Sequence, residues 1–254
     1  DNMKIKTIRK KNNKYIIILE DNTTITTYDD IIIKNNILYK KEITEELKNT
    51  IEKENQYYEI YNNILKYIKT KLRSETEIRE YIRKNEIDKK IEEDIIKKLK
   101  TSKLINDNIY VHAYIHDKIT FTNDGPLKIK KDLLKNKIDE TLIEEELEKL
   151  NKKELLEKLK KLILKKMNTN TKYSNNMLKQ KLINYFMNLG YEKSDIVAII
   201  ENNQTHNNEI IKKEYNKLYN KLKNKYQDET LKRNIKQKLY QKGFDIEEIN
   251  KIVN

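Results

Sequence analysis

Ile78–Leu99 reads IREYIRKNEIDKKIEEDIIKKL, and Ile129–Leu150 reads IKKDLLKNKIDETLIEEELEKL. The two stretches share one pattern written in different residues. Apolar side chains stand at Ile78, Ile82, Ile87, Ile91, Ile95, Ile96 and Leu99 in the first. They stand at Ile129, Leu133, Ile138, Leu142, Ile143, Leu147 and Leu150 in the second. Two further copies lie downstream: Leu182, Phe186, Tyr191, Ile196, Ile199, Ile200, and Ile235, Leu239, Phe244, Ile249, Ile252, Val253. The anchors Ile78, Ile129, Leu182 and Ile235 are 51, 53 and 53 positions apart. A fixed period in this range marks a repeat architecture.

Within each copy the first two apolar residues are one helical turn apart and share a face. The third sits at a break: Asn85-Glu86-Ile87, Asn136-Lys137-Ile138, Leu189-Gly190-Tyr191 and Lys242-Gly243-Phe244. Gly or Asn at such a break suits a helix end that turns through the left-handed conformation, and the Asp or Ser that follows can cap the next helix. Each copy therefore predicts helix, short turn with a buried plug residue, helix. Such a pair cannot bury its apolar face alone. A further helix before each pair would complete a three-helix unit, and stacked units would share a core.

The rest of the chain fits round these copies. Lys4–Ile8, Lys14–Leu19 and Thr23–Thr27 are β-branched and separated by turn residues, which predicts a small antiparallel meander. Asp29-Asp30 would cap a short helix through Ile31–Lys34. Helical sequence starts near Thr44, and Tyr57, Tyr61, Leu65, Ile68 and Leu72 continue it as one stripe. Ser74 to Glu77 is a capping-box pattern. Asp107 is the expected N-cap of the helix carrying Ile109, Ala113 and His116 on one face, and Pro126 sits at a favoured first helical position. Asn151–Met167 and Ile211–Tyr226 are long amphipathic helices, and Glu201–Asn208 is the clearest linker. The fold class expected is mainly α: an elongated array of tandem three-helix repeats with a small N-terminal β-rich segment. Its divisions are a β-rich segment at 1–43, then helical repeats at 44–116, 117–167, 168–207 and 208–254. The β segment would cap the end of the array.

Composition limits the function. The 254 residues include 54 Lys and Arg against 41 Asp and Glu, a formal net charge of +13, with only three Gly and one Pro. A basic helical protein of mixed sign favours an acidic partner, either nucleic acid or an acidic protein groove. The absence of cysteine excludes a disulfide scaffold and a cysteine-based zinc site. No apolar run is long enough to span a bilayer, and no secretory leader is read at the start. Three glycines do not build a Walker-type or dinucleotide-binding loop. His112 and His116 are four apart on a helix, but no third metal ligand is apparent, and His206 falls in a loop. Glu144-Glu145-Glu146 reads as a solvated helix face. Tyr110, Tyr114, Tyr173 and Tyr185 could stack on bases, although at helical spacing tyrosines more often edge a core.

The basic residues carry the functional signal. Arg73, Arg79, Arg83 and Lys84 lie on repeat one. Lys128, Lys130, Lys131 and Lys135 lie on repeat two, and Lys172, Lys179 and Lys181 on repeat three. Lys232, Arg233, Lys236 and Lys238 lie on repeat four. If the units present equivalent faces, these residues would line one concave surface. Arginine clamps carboxylate or phosphate through two donors, which ranks Arg73, Arg79, Arg83 and Arg233 first.

Ser74–Ile82, Leu104–Asp107 with Tyr110–Ile115, and Gly125-Pro126 with Ile129, Leu133 and Ile138-Asp139 form a linked set. Lys179–Leu182 and Gly190-Tyr191 extend it. In order and spacing this set resembles the RecX family of bacterial RecA regulators. The β segment and fourth helical unit resemble the longer form found in Gram-positive relatives. Asn85 and Asn136 stand where the family often has Gly. The resemblance implies a non-enzymatic, cofactor-free cytoplasmic protein that lies in the groove of a RecA–single-stranded DNA filament. There it would block strand exchange, ATP hydrolysis and co-protease activity. A monomer is expected, with at most weak direct binding of single- or double-stranded DNA. The other function class compatible with the charge is a helical repeat protein that binds nucleic acid directly.

Overall fold

The computed structural model describes residues 2–204 and 208–254. It divides into two compact units, one ending at Tyr110 and the other running from Val111 to Asn254. His206 and its two neighbours in the expected linker, residues 205–207, lie outside the described residues.

The first unit opens with four antiparallel strands: β1 (Asn2–Lys11), β2 (Lys14–Leu19), β3 (Thr24–Tyr28) and β4 (Glu42–Thr44), in the order β3-β2-β1-β4. The meander supplies the first three. β4 was not legible, because Glu-Ile-Thr is too short to show a period. Helix α1 (Asp29–Lys34) follows β3. Tyr28, not Asp29, occupies its N-cap position, and Asp29 and Asp30 lie in the first turn, where they favour the helix dipole.

Three helices complete this unit: α2 (Glu45–Thr70), α3 (Glu75–Arg83) and α4 (Lys89–Thr101). Thr44 caps α2 by accepting from the Leu47 amide, and Ser74 and Glu77 form the expected capping box at α3. The sheet is built onto the start of α2, with Ile17, Leu19, Ile25, Ile37 and Ile43 sharing a core with Ile51. Thr27 donates to the Asn55 side chain at 2.6 Å, and Asn55 donates back to the Thr26 carbonyl at 2.7 Å. The second half of α2 turns to a different core, in which Ile60 and Ile64 meet Ile78, Ile82, Ile95, Ile96 and Leu99.

The division between the units falls within α5 (Asp107–Phe121). Asn106, not Asp107, caps this helix, accepting from the Asn108 and Ile109 amides. Asp107 reaches instead to the Glu75 amide at the start of α3, at 3.2 Å. Ile109 is exposed, and Val111 and Ile115 are buried in place of the expected Ile109–Ala113 face.

The second unit continues with α6 (Pro126–Lys135), α7 (Glu140–Glu148), α8 (Lys152–Asn168), α9 (Asn175–Asn188) and α10 (Lys193–Asn202). It ends with α11 (Asn208–Leu222), α12 (Asp228–Gln241) and α13 (Ile246–Val253). Leu159 and Ile163 of α8 share a core with Leu182, Phe186, Tyr191, Ile196 and Ile200. They therefore pack with α9 and α10, across the division expected at residue 167. Ile211, Leu218, Ile235, Leu239, Phe244, Ile249 and Val253 form the core of the last three helices. Helix triplets α2–α4, α8–α10 and α11–α13 each enclose their own core, as a repeat architecture requires.

Candidate functional site

Each repeat is held by its turn, and the turns decide which side chains remain available. Four residues at the same place after the anchors have positive φ: Glu86 (53°), Lys137 (54°), Gly190 (92°) and Gly243 (89°). The left-handed residue is thus one position later than Asn85 and Asn136. Asn85 uses its side chain to donate to the Tyr81 carbonyl, 2.9 Å away. Asp88 and Asp139 then cap the next helices, and Asp245 forms a capping box with Glu248. In the third copy Glu192 takes the N-cap position without a side-chain bond.

In the second unit these turns also join repeats. The Gly125 amide donates to the Leu189 carbonyl at 2.5 Å, and the Leu127 amide donates to the Gly190 carbonyl at 3.0 Å. A Cβ on Gly190 would sit 2.3 Å from the Lys128 nitrogen, so the two backbones meet where no side chain fits. The next joint repeats the placement with side chains. The Ser174 hydroxyl donates to the Lys242 carbonyl at 3.3 Å, and Asn176 donates to Asp245 at 2.7 Å. Beside the first joint, the Tyr191 hydroxyl is buried with no hydrogen-bond partner among the described residues. Burial and the nearby Asp124 carboxylate push its pKa up to about 12.

Many basic candidates are committed to this framework. Arg73 stacks on Tyr67, its guanidinium carbon 3.7 Å from the ring centre, and donates to the Tyr67 carbonyl and the Thr70 hydroxyl. Arg79 pairs with Glu75 at 3.0 Å, Glu92 at 2.8 Å and Glu93 at 2.7 Å. Arg83 also holds Glu92, at 3.1 Å. Burial alone would push the Glu92 carboxyl up, but hydrogen bonds from Arg79 and Arg83 leave it below its ordinary value. Lys130 repeats the Arg79 arrangement one unit on, pairing with Glu140 at 2.8 Å and Glu144 at 2.7 Å. Lys128 holds Asp124 at 2.6 Å, Lys179 holds Glu201 at 2.7 Å, and Lys232 and Lys135 make longer contacts with Glu229 and Asp132. Lys84, Lys131, Lys172, Lys181, Arg233, Lys236 and Lys238 have no carboxylate within 4 Å among the described residues.

The other candidates separate in the same way. Tyr110 is a core residue. The Lys118 ammonium lies 5.5 Å from the Tyr114 ring centre. His112 faces Glu146 at 3.1 Å, and His116 faces Asp117 at 3.5 Å. No group of three metal-ligating side chains occurs among the described residues.

Tyr173 and Tyr185 differ from these, because they line one pocket of about 330 Å³ with Lys166, Lys172 and Lys181, floored by Leu178 and Leu182. Lys166 lies 4.1 Å from the Tyr185 ring centre, and Lys181 lies 4.7 Å from that of Tyr173. The loop between α8 and α9 is fixed by Asn170. Its side chain accepts from the Lys172 and Tyr173 amides and donates to the Tyr173 carbonyl. Lys166 was missed as a site residue. The available signal was the absence of acid: from Lys158 to Tyr191 the chain has eight lysines and no Asp or Glu.

Comparison with known proteins gives a consistent identity. Residues 207–253 match a family model described as RecX, third three-helix domain. The chain is 25% identical over 218 residues to the regulatory protein RecX of Oceanobacillus iheyensis, covering 84% of this chain and 80% of that one. It is 30% identical over 193 residues to the regulatory protein RecX of Bacillus cytotoxicus, covering 74% of this chain and 72% of that one. A crystal structure of regulatory protein RecX superposes with a TM-score of 0.66 at 24% identity, over 79% of this chain and 99% of that chain, a likeness of fold. With the repeated turns and three-helix cores, these matches place the chain in the RecX family of regulatory proteins.

Proposed function

We propose that this chain is a negative regulator of RecA. It binds along the RecA–single-stranded DNA filament and inhibits strand exchange, ATP hydrolysis and co-protease activity. The reading has no catalytic step and no cofactor, and it places the chain in the cytoplasm as a monomer. Membership of a family whose relatives are named regulatory proteins carries it. Unspent positive charge supports it, because Lys84, Lys131, Lys181 and Arg233 lie on successive repeats without carboxylate partners among the described residues. A filament coated in phosphate and acidic side chains would neutralise that charge.

The test is RecA-catalysed strand exchange, or DNA-dependent ATP hydrolysis, titrated with this protein at sub-stoichiometric ratio. Inhibition well below one molecule per RecA is expected, since one bound regulator affects many subunits of a filament. Inhibition only near saturation, matched by equal binding to naked strand, would replace this reading with simple competition for DNA. No effect on cognate RecA would remove it.

A further inference from the structure

Thirty-four consecutive residues without a carboxylate are unusual in a chain whose charges elsewhere alternate in sign. The structure folds this stretch so that its lysines converge. Lys166 comes from the last turn of α8, Lys172 from the loop, and Lys181 from α9 one turn before Tyr185. All three line the same pocket, and no carboxylate lines it. Tyr185 is 44% exposed and Tyr173 partly so, leaving ring surface facing solvent. The loop is braced by Asn170, so Lys172 and Tyr173 are in place before any ligand arrives.

We propose that this pocket binds one nucleotide of a single-stranded nucleic acid. Its base takes the Tyr185 face that the Lys166 ammonium covers, and that ammonium swings with Lys172 and Lys181 to the flanking phosphates. Two features select this occupant. An acidic peptide would use the lysines but has no planar face for the tyrosine. A duplex would offer phosphates, but its bases are stacked on one another and present no free face. The site adds a direct contact with the strand to the regulatory reading above. It does not need RecA, so it stands or falls separately.

The experiment is fluorescence anisotropy with a labelled oligothymidylate and no RecA present. An abasic strand of the same length, an oligouridylate and a polyglutamate peptide serve as comparisons. The thymidylate is expected to bind roughly fivefold or more tightly than the abasic strand, the range of one stacked base. Tyr185→Leu should abolish that preference while leaving abasic binding intact. Lys166→Gln with Lys181→Gln should weaken both strands and flatten the salt dependence, each lost phosphate contact lowering the slope by about 0.7. Lys40→Gln with Lys41→Gln, in the N-terminal segment, should change neither. Uridylate bound equally or better also supports the site and shows that the sugar is not read. Equal binding of abasic and thymidylate strands, or polyglutamate binding as tight as thymidylate, would overturn the proposal. So would a thymidylate preference that survives Tyr185→Leu in a variant with an unchanged melting transition.

Discussion

Glu86 and Lys137 hold a backbone conformation that a side chain disfavours, while Gly190 and Gly243 hold it freely. Relieving the first two should stabilise the chain. Glu86→Gly and Lys137→Gly are each expected to raise stability by about 1 kcal/mol, read as a higher urea midpoint with unchanged slope. The reverse change at Gly190 is costlier, because Ala there meets the Lys128 backbone as well as a positive φ. Gly190→Ala should lose about 2–3 kcal/mol by the same measurement. At this scale the sequence was half legible. The break in each repeat was readable from the plug residues Ile87, Ile138, Tyr191 and Phe244. Which residue took the left-handed turn was not, because Asn85 and Asn136 are chemically the better choice and only the geometry shows the turn falling one position later, with the Asn85 side chain bonded to the Tyr81 carbonyl. The same holds for Arg73 and Arg79. Their charge was visible, but the aromatic ring and carboxylates that surround them are contributed by other turns and helices.

Among elements, α3 and α4 are bound by a charged cluster whose strength depends on pH. The Glu75 and Glu92 carboxyls are each raised by burial, but hydrogen bonds from Lys100, Arg79 and Arg83 leave both below the ordinary 4.5. A carboxylate with a depressed pKa in the folded state contributes stability above the unfolded value and loses it as pH falls through the folded one. The urea midpoint of the first unit should therefore drop between about pH 5 and pH 3. Replacing Arg79 by Leu should flatten that drop and cost about 3 kcal/mol near neutrality, because Glu92 is left buried with one partner fewer. The helices themselves were readable from their apolar periods and caps. Their grouping was less so: α8 follows α7 closely in sequence, and only the shared core of Leu159 and Ile163 with Leu182 and Phe186 shows which neighbours it serves. β4 is held by pairing with β1 through Asn2↔Thr44 and Met3↔Ile43, long-range contacts that its own three residues do not announce.

For the whole molecule, charge and repetition act together. If the net +13 drives association with a polyanionic filament, affinity should fall steeply as salt rises from 50 to 200 mM. Filament co-sedimentation across that range would measure it, and a salt-independent affinity would show that apolar contacts dominate instead. The joint between Gly125 and Gly190 has a bearing on how such a chain can change over time. It is made by main-chain atoms and by the lack of a side chain, so it asks almost nothing of the surrounding residue types. Mutational drift toward any composition, including the lysine- and asparagine-rich one seen here, can rewrite the exposed faces of both repeats and leave their coupling intact. A duplicated unit would inherit this connector if it kept a glycine at its turn and a second before its first paired helix, as Gly190 and Gly125 stand here.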